Sequence, residues 1–397
     1  MKIIKARKKK EKNFNSAEVV FLSSMTLLLG VLLGILMCYC KITFLDSSDS
    51  KLREIISTYN NISNNSYDKV DKDKLADSAI EGMINSLDDP YGNFMNKKDT
   101  KSFSEALGGY YNGLGITITK KGNNIVIVDV SKNSPAAKAG IKKDDIILNI
   151  DNLDASKEEV DTLANYVSKI KDKEINIKIK RDNKVIDFNV KKDRVDVQSV
   201  TSLIEDGVGY IDISTFSLNT GDQFITNLNK LKKKNVSSLI IDLRDNPGGH
   251  LGQTSKILEP FFKKGTVFYQ IDNKNSKSMI RAKNKDKMNI PIVVLINEQS
   301  ASASEIVASC FKENYKNVTL VGKMTYGKGT VQKDVKLSNG SSIKYTTQRW
   351  LTSKGKWLNH AKGVGLKPDV DINICQDEKC DKDMQLEKAK EIAKKSS

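Results

Sequence analysis

From about residue 207 onwards, short apolar runs alternate with stretches in which apolar positions recur every three or four residues. GYIDIST leads to a helical pattern near 219–234, SLIIDLR to one near 252–262, and IVVLIN to one near 302–314, before VTLVG. Such alternation predicts an α/β layer structure with a partly parallel sheet. DVKLSNGSSIKYTTQRW then reads as a hairpin turning at Asn339-Gly340. Between about 102 and 193 the texture is different: short strands (GLGITITK, NIVIVDV, DIILNID, EINIKIKRD), SPAAKAGI between them, and one helix around 156–170. Residues 51–95 read as helical. KLADSAIEGMINSL places Leu75, Ala79, Met83 and Leu87 on one face, and the turn residues of DDPYG end the pattern. The tail at 376–397 is charged and helix-permissive, and no solenoid-type repeat is present.

One run breaks this globular pattern. Val19 to Cys40 carries no charge, and about 22 such residues suffice to cross the ~30 Å of a bilayer's hydrocarbon. The run is long for a signal peptide and lacks a small-x-small cleavage site, so an uncleaved anchor is expected. Seven Lys/Arg against one Glu in the first twelve residues put the N-terminus in the cytoplasm and the rest outside it.

The net charge of +16 is otherwise a diffuse Lys excess with no basic-aromatic stripe, so no nucleic-acid partner is expected. The 39% hydrophobic content of 397 residues suffices for two or three cored domains. Cys310 falls in an apolar helical pattern, and Cys375 and Cys380 are placed to pair in an oxidising compartment. No Cys/His cluster has zinc spacing and the only histidines are His250 and His360, so neither metal nor cofactor is expected.

The candidate chemistry lies in three segments. VGKMTYGKGTVQ contains Gly-x-x-x-x-Gly-Lys from Gly322 to Lys328, but Gly329 stands where a P-loop needs Ser or Thr. A strand pattern follows where a helix is required, which argues against nucleotide binding and leaves it a distant third reading. NEQSASASEIVAS sets serines at a strand-to-helix turn. Ser302 with Glu305 fits a capping box, and the same turn suits a nucleophile, because free helix-start amides can donate to an oxyanion. Neither histidine offers a persuasive base. Lys328 can serve if burial lowers its pKa, and an extended 328–332 would put Lys328, Thr330 and Gln332 on one face. IIDLRDNPGGHL runs a buried strand into an exposed, flexible Gly248-Gly249 turn.

Together DLRDNPGG, NEQSASASE and TYGKGTVQ resemble the carboxyl-terminal processing peptidases, or tail-specific proteases. IEGMINSLDDPYGNFM resembles their N-terminal helical signature and AKGVGLKPDV their C-terminal one, so the likeness covers nearly everything beyond the apolar run. The resemblance implies Ser302 as nucleophile, ahead of Ser300 and Ser304. It implies Lys328 as general base, Gln332 as the residue that positions it, and an oxyanion hole from Ala303 and the Gly248-Gly249 turn. The stretch from Ser302 to Lys328 is slightly longer than is usual in that family, in the loop Glu313–Val318. The strand-rich insert resembles a PDZ domain. Gly113, Leu114, Gly115 and Ile116 match its carboxylate-binding loop, and SPAAKAGIKKDDIILNID its most recognisable segment, so a peptide would add as a strand to its edge.

The expected architecture is an α/β protease core with an inserted PDZ domain, an N-terminal helical segment and one transmembrane helix. Its parts are a basic cytoplasmic tip (1–18), the anchor (19–40), the helical segment (41–101), the PDZ domain (102–193), the peptidase core (194–375) and the charged tail (376–397). The expected activity is that of a serine endopeptidase at a bacterial cell surface, acting on proteins or peptides with free C-termini, with room for a homo-oligomer. The alternative is a catalytically silent PDZ adaptor.

Overall fold

The computed structural model describes residues 15–46, 50–171, 173–263, 265–282, 288–373 and 382–395. The basic tip, Cys375 and Cys380 lie outside the described residues. The chain divides into two compact units, 1–83 and 84–397.

The first unit is helical: α1 (Ser16–Asp46), α2 (Ser50–Asn65) and most of α3 (Lys72–Asn85). The stretch Ser16–Met37 is exposed, and long and apolar enough for a membrane span or a signal sequence. Of the face expected to be buried in α3, Leu75 alone is half-buried and Ala79 is exposed. Met83 is 46% and Leu87 53% exposed, while Ile84 is buried and Ala76 and Ile80 are half-buried. Both sets have helical spacing, so periodicity alone does not choose between adjacent stripes.

The second unit begins with β1 (Asn93–Met95) and α4 (Lys97–Gly108), whose N-cap Asn96 accepts from Lys98 and Asp99 and whose C-cap Gly109 is left-handed at φ 71°. A two-stranded ribbon, β2 (Tyr110–Gly113) with β9 (Asp193–Asp196), then leads out to a separate small domain and back. That domain holds β3 (Ile116–Lys121), β4 (Asn124–Val130), α5 (Pro135–Ala139), β5 (Ile146–Ile150), β6 (Leu153–Asp154), α6 (Val160–Lys169), β7 (Glu174–Arg181) and β8 (Lys184–Lys191). Its sheet runs β3-β4-β5-β7-β8 with β6 on β5, so β3 is an edge. Alternate residues of β7 (Ile175, Ile177, Ile179) join Ile125, Ile127, Ile147 and Leu163 in its own core.

The larger domain is built on β10 (Val200–Glu205), β11 (Val208–Ile213), β12 (Ser238–Asp242), β15 (Ile292–Ile296), β16 (Val318–Gly322) and β19 (Val370–Asp371), in that order. All adjacent pairs are parallel except β10 with β11. Crossovers carry α7 (Thr220–Lys233), α8 (Gly252–Leu258) and α9 (Ala303–Asn314). Every residue of β12 and β15 is buried, as a parallel strand covered on both faces requires. Leu239, Ile241, Ile292, Val294 and Ile296 pack with α7, α8 and α9. Ile240, Val293 and Leu295 face the other way, onto Ala389 and Ala393 of α10 (Met384–Lys395). A second sheet joins β1, β13 (Gly265–Asp272), β14 (Lys277–Ala282), β17 (Thr330–Lys336) and β18 (Ser342–Thr352), with fully buried Trp350 in the shared core.

Candidate active site

The three motif segments leave the carboxyl ends of β12, β15 and β16, which are neighbours in the parallel sheet. Open α/β sheets gather their sites at such ends. There the loops are laced together. The Ala301 amide donates to Asn246 O at 3.0 Å and the Tyr326 amide to Ser300 O at 3.1 Å. A cleft of about 510 Å³ opens between them, and Ser302, Lys328, Gln332, Gly248 and Gly249 all line it.

The three serines of the turn differ in what their hydroxyls do. Ser300 Oγ donates to Leu243 O at 2.7 Å and Ser304 Oγ to Asn246 O at 2.9 Å, and both residues are fully buried. Ser302 lines the cleft and starts α9 from φ 54°, ψ −111°. A non-glycine residue there is strained, which is characteristic of nucleophiles held on a sharp strand-to-helix turn. The Ser302 amide donates to Glu305 Oε2 at 2.8 Å, the Glu305 half of the expected capping box.

Glu305 does more than cap. Its Oε2 also accepts from the Lys328 amide at 2.8 Å, and its Oε1 from the Gly327 amide at 2.7 Å and Thr325 Oγ1 at 2.5 Å. One buried carboxylate thus holds the backbones of Ser302 and Lys328 to a single oxygen. Burial pushes its pKa up and these four donors pull it back.

Lys328 precedes β17. Its carbonyl accepts from Trp350 Nε1 at 2.8 Å, and its half-buried amine lies 4.5 Å from the centre of the Tyr91 ring. Burial holds this amine below the usual lysine range and the charge of Lys344 acts the same way, while Asp89 and Glu305 oppose them. The Tyr91 phenol is raised to about 12 by burial and by its hydrogen bond with Tyr326. The sequence pattern marks Asp89 and Tyr91 only as turn residues and Glu305 only as a cap. The quoted stretch IEGMINSLDDPYGNFM already contained the signal for the first two.

Gln332 is not joined to the Lys328 amine by a hydrogen bond. Its Nε2 donates to Thr330 Oγ1 at 2.9 Å and Thr346 Oγ1 at 3.1 Å. Thr346 is tied in turn to Asp89, which accepts from its amide and its hydroxyl. A register shift between Val331 and Gln332 interrupts the simple alternation expected for 328–332.

Gly248 (φ 93°) approaches the serine turn so closely that a Cβ would lie 2.6 Å from Ala301 O and 2.9 Å from Ser302 Cβ. Its amide is committed to Asn246 Oδ1 at 2.9 Å. The amides of Gly249 and Ala303 carry no hydrogen bond among the described residues. His250 also lines the cleft, but its Nδ1 accepts from the Gly252 amide at 3.2 Å. His360 is stacked on Tyr326 with ring centroids 4.0 Å apart.

In the smaller domain Gly113, Leu114 and Gly115 are buried and Ile116 opens the edge strand β3. Gly115 sits at φ 79°, and a Cβ there would come 2.2 Å from Ser134 Cβ. The amides of Leu114 and Gly115 have no hydrogen-bond partner among the described residues, the state an anion-binding loop needs.

Comparison with known proteins follows these boundaries. Residues 207–372 match peptidase family S41, residues 112–191 a PDZ domain, and residues 41–100 the N-terminal domain of activating protease CtpB. The chain is 37% identical to the carboxy-terminal processing protease CtpA of Bacillus subtilis, over 83% of this chain and 70% of that one. To CtpB of the same organism it is 36% identical, over 80% and 67% respectively. It is 33% identical to a probable CtpA-like serine protease of Staphylococcus epidermidis, over 88% and 71%.

Proposed function

The chain belongs to peptidase family S41, and on that footing we propose a membrane-anchored endopeptidase in which Ser302 is the nucleophile and Lys328 its general base. Its PDZ domain captures the free C-terminus of a protein substrate on the 113–116 loop, and cleavage takes place outside the cytoplasm. The observation that carries this reading is the shared cleft. A strained serine with an unspent helix-start amide beside it and a partly buried amine of lowered pKa line one cavity, and one carboxylate fastens both backbones.

The chemistry runs in two halves. Unprotonated Lys328 Nζ takes the proton from Ser302 Oγ as the oxygen attacks the scissile carbonyl carbon. The oxyanion is held by the amides of Ala303 and Gly249. The C–N bond breaks, the lysine's proton passes to the departing amine, and an ester to Ser302 remains. Water, activated by the same amine, then hydrolyses that ester and restores the serine. Gln332 orients the amine without adding charge, its Oε1 accepting from an Nζ–H after a side-chain rotation, so that the lone pair of Nζ stays free for the serine proton. The exposed apolar stretch of α1 is the anchor.

The test uses the full chain in detergent and a quenched fluorescent peptide with a free apolar C-terminus. Ser302→Ala and Lys328→Ala should each lower turnover by about 10³-fold or more with the fold retained, and the double variant should be scarcely worse, because the two act as a unit. Near-normal turnover by Ser302→Ala would overturn the assignment. Peptide binding with no hydrolysis by the unmodified chain would leave the silent-adaptor reading.

A further inference from the structure

The hairpin of β17 and β18 turns a polar face to the cleft. Antiparallel pairing sets Gln332 opposite Thr346 and Asp334 opposite Lys344, and the two-residue period puts all four on one side. Asp334 and Lys344 line the same cleft as Ser302 and Lys328. An acid and an amine opposite each other on a ladder ordinarily pair, and these do not. The Lys344 amine lies 5.3 Å from the centre of the Phe103 ring and has no carboxylate at ion-pair distance among the described residues. Asp334 Oδ1 is shut off from solvent without a hydrogen-bond partner. The cleft therefore contains a second cation whose charge no direct contact cancels.

The charged and titratable groups facing Lys328 come from several elements. Asp89 and Tyr91 lie in the turn after α3, Glu305 on α9, Lys344 on β18, and His250 lines the cleft ahead of α8. Asp89 is tied up by the Thr346 amide and hydroxyl and the Tyr91 amide, and Glu305 by its four donors. Both carboxylates favour an ammonium at Lys328. Lys344 is the charged neighbour that opposes them.

We propose that Lys344 is a positioning residue that acts through Lys328, keeping the base unprotonated by like-charge repulsion across the cleft, with Asp334 as the restraint on that repulsion. A like charge disfavours the charged form of its neighbour, and paired cations are an established way to activate a lysine. The inference rests on the Ser302–Lys328 reading. It concerns what sets the pH at which that pair works.

The experiment is kcat/KM against pH for the full chain in detergent, with the same quenched peptide. Activity should rise along an acid limb to an alkaline plateau. Lys344→Met should move the limb to higher pH, with about three- to tenfold less activity at pH 7 and the plateau unchanged. Lys344→Glu should move it further, and Lys344→Arg should leave it within about twofold of the unmodified enzyme at every pH. Asp334→Asn should shift the limb to lower pH, a gain of activity on the acid side that structural damage does not produce. A limb unmoved by Lys344→Met, or a uniform loss at all pH values, overturns the proposal. If Lys344→Met fails to fold, Asp334→Asn decides: a limb unmoved or displaced to higher pH overturns it. An unmodified enzyme with no acid limb at all defeats the dyad reading itself, whereas a limb present but indifferent to Lys344 defeats only this inference.

Discussion

Glu305 is fully buried with both oxygens filled by donors from Ser302, Thr325, Gly327 and Lys328. Glu305→Gln replaces one acceptor oxygen with an NH2 that would point at backbone N–H groups. Leaving such buried donors unpaired costs about 1–3 kcal/mol each. The variant should therefore unfold at lower temperature, and by loosening both turns it should lose kcat more than KM, by about 10- to 100-fold; unchanged kcat would show that the clamp is only a cap. Lys328 gives a prediction of opposite sign for stability. Its folded-state pKa lies below its unfolded value, so the folded chain binds fewer protons, and stability rises with pH through the interval between the two. At neutral pH, below the unfolded value, some of that cost is still present. Lys328→Met should then abolish hydrolysis yet unfold at a higher temperature near pH 7, with the gain shrinking as the pH approaches the unfolded value; thermal scans across pH check it. Lys328→Arg should be as inactive as Lys328→Met, since a guanidinium does not deprotonate at usable pH. At this scale the helix start at Ser302 and the Glu305 cap were legible by local spacing, whereas the choice of Ser302 and Lys328 as a pair rested on the family resemblance. The second role of Glu305 was not legible, because it depends on residues 20 to 23 positions further along the chain.

Regular elements were legible where the pattern is local. The helices expected near 219–234, 302–314 and 156–170 appear as α7, α9 and α6, and the Asn339-Gly340 hairpin as β17 and β18. What escaped were pieces whose reason is tertiary. Helix α4 runs across the expected start of the strand-rich insert at 102, and its Phe103, Ala106 and Leu107 wall the cleft. The three residues of β1 become a strand only because Ser342 to Lys344 offer an edge. The register shift at Val331/Gln332 has no signature in the side chains. The most demanding junction between elements is the contact of the β12 turn with the start of α9, where Gly248 meets Ala301 and Ser302. Gly248→Ala places a Cβ against backbone atoms on both sides and at a φ that L-residues avoid. It should force these loops apart and reduce kcat/KM by about 10²-fold or more, the scale of losing an oxyanion donor. Retention of near-normal activity would mean that the turn can relax without moving the nucleophile.

At the scale of the whole molecule, the proposed function assigns binding and cutting to different domains of one unit, which the β2–β9 ribbon joins. The proposed peptide site is an edge strand, β3, with two unspent amides among the described residues at its entrance. Added as a strand, a peptide would obtain main-chain hydrogen bonds from β3 whatever its sequence, so discrimination of chain ends falls to the loop at 113–116. A terminal carboxylate supplies charge and two acceptors, and an amide supplies neither charge nor the second oxygen. Charged hydrogen bonds are worth about 1.5–3 kcal/mol, roughly ten- to a hundredfold in affinity. Peptides with a free apolar C-terminus should therefore be cut about that much faster, at low concentration, than the same peptides amidated. The ribbon permits a clean control. Gly113 and Asp193 are paired across it, so residues 114–192 can be replaced by an Asn-Gly turn that closes β2 and β9 into a hairpin. The shortened chain keeps α4, the cleft and the serine turn, and should cut free-acid and amidated peptides at equal rates. If the full chain already treats the two alike, tail recognition is wrong and only the peptidase core stands. If the shortened chain still prefers the free acid, the carboxylate is read in the cleft itself and not on the loop at 113–116.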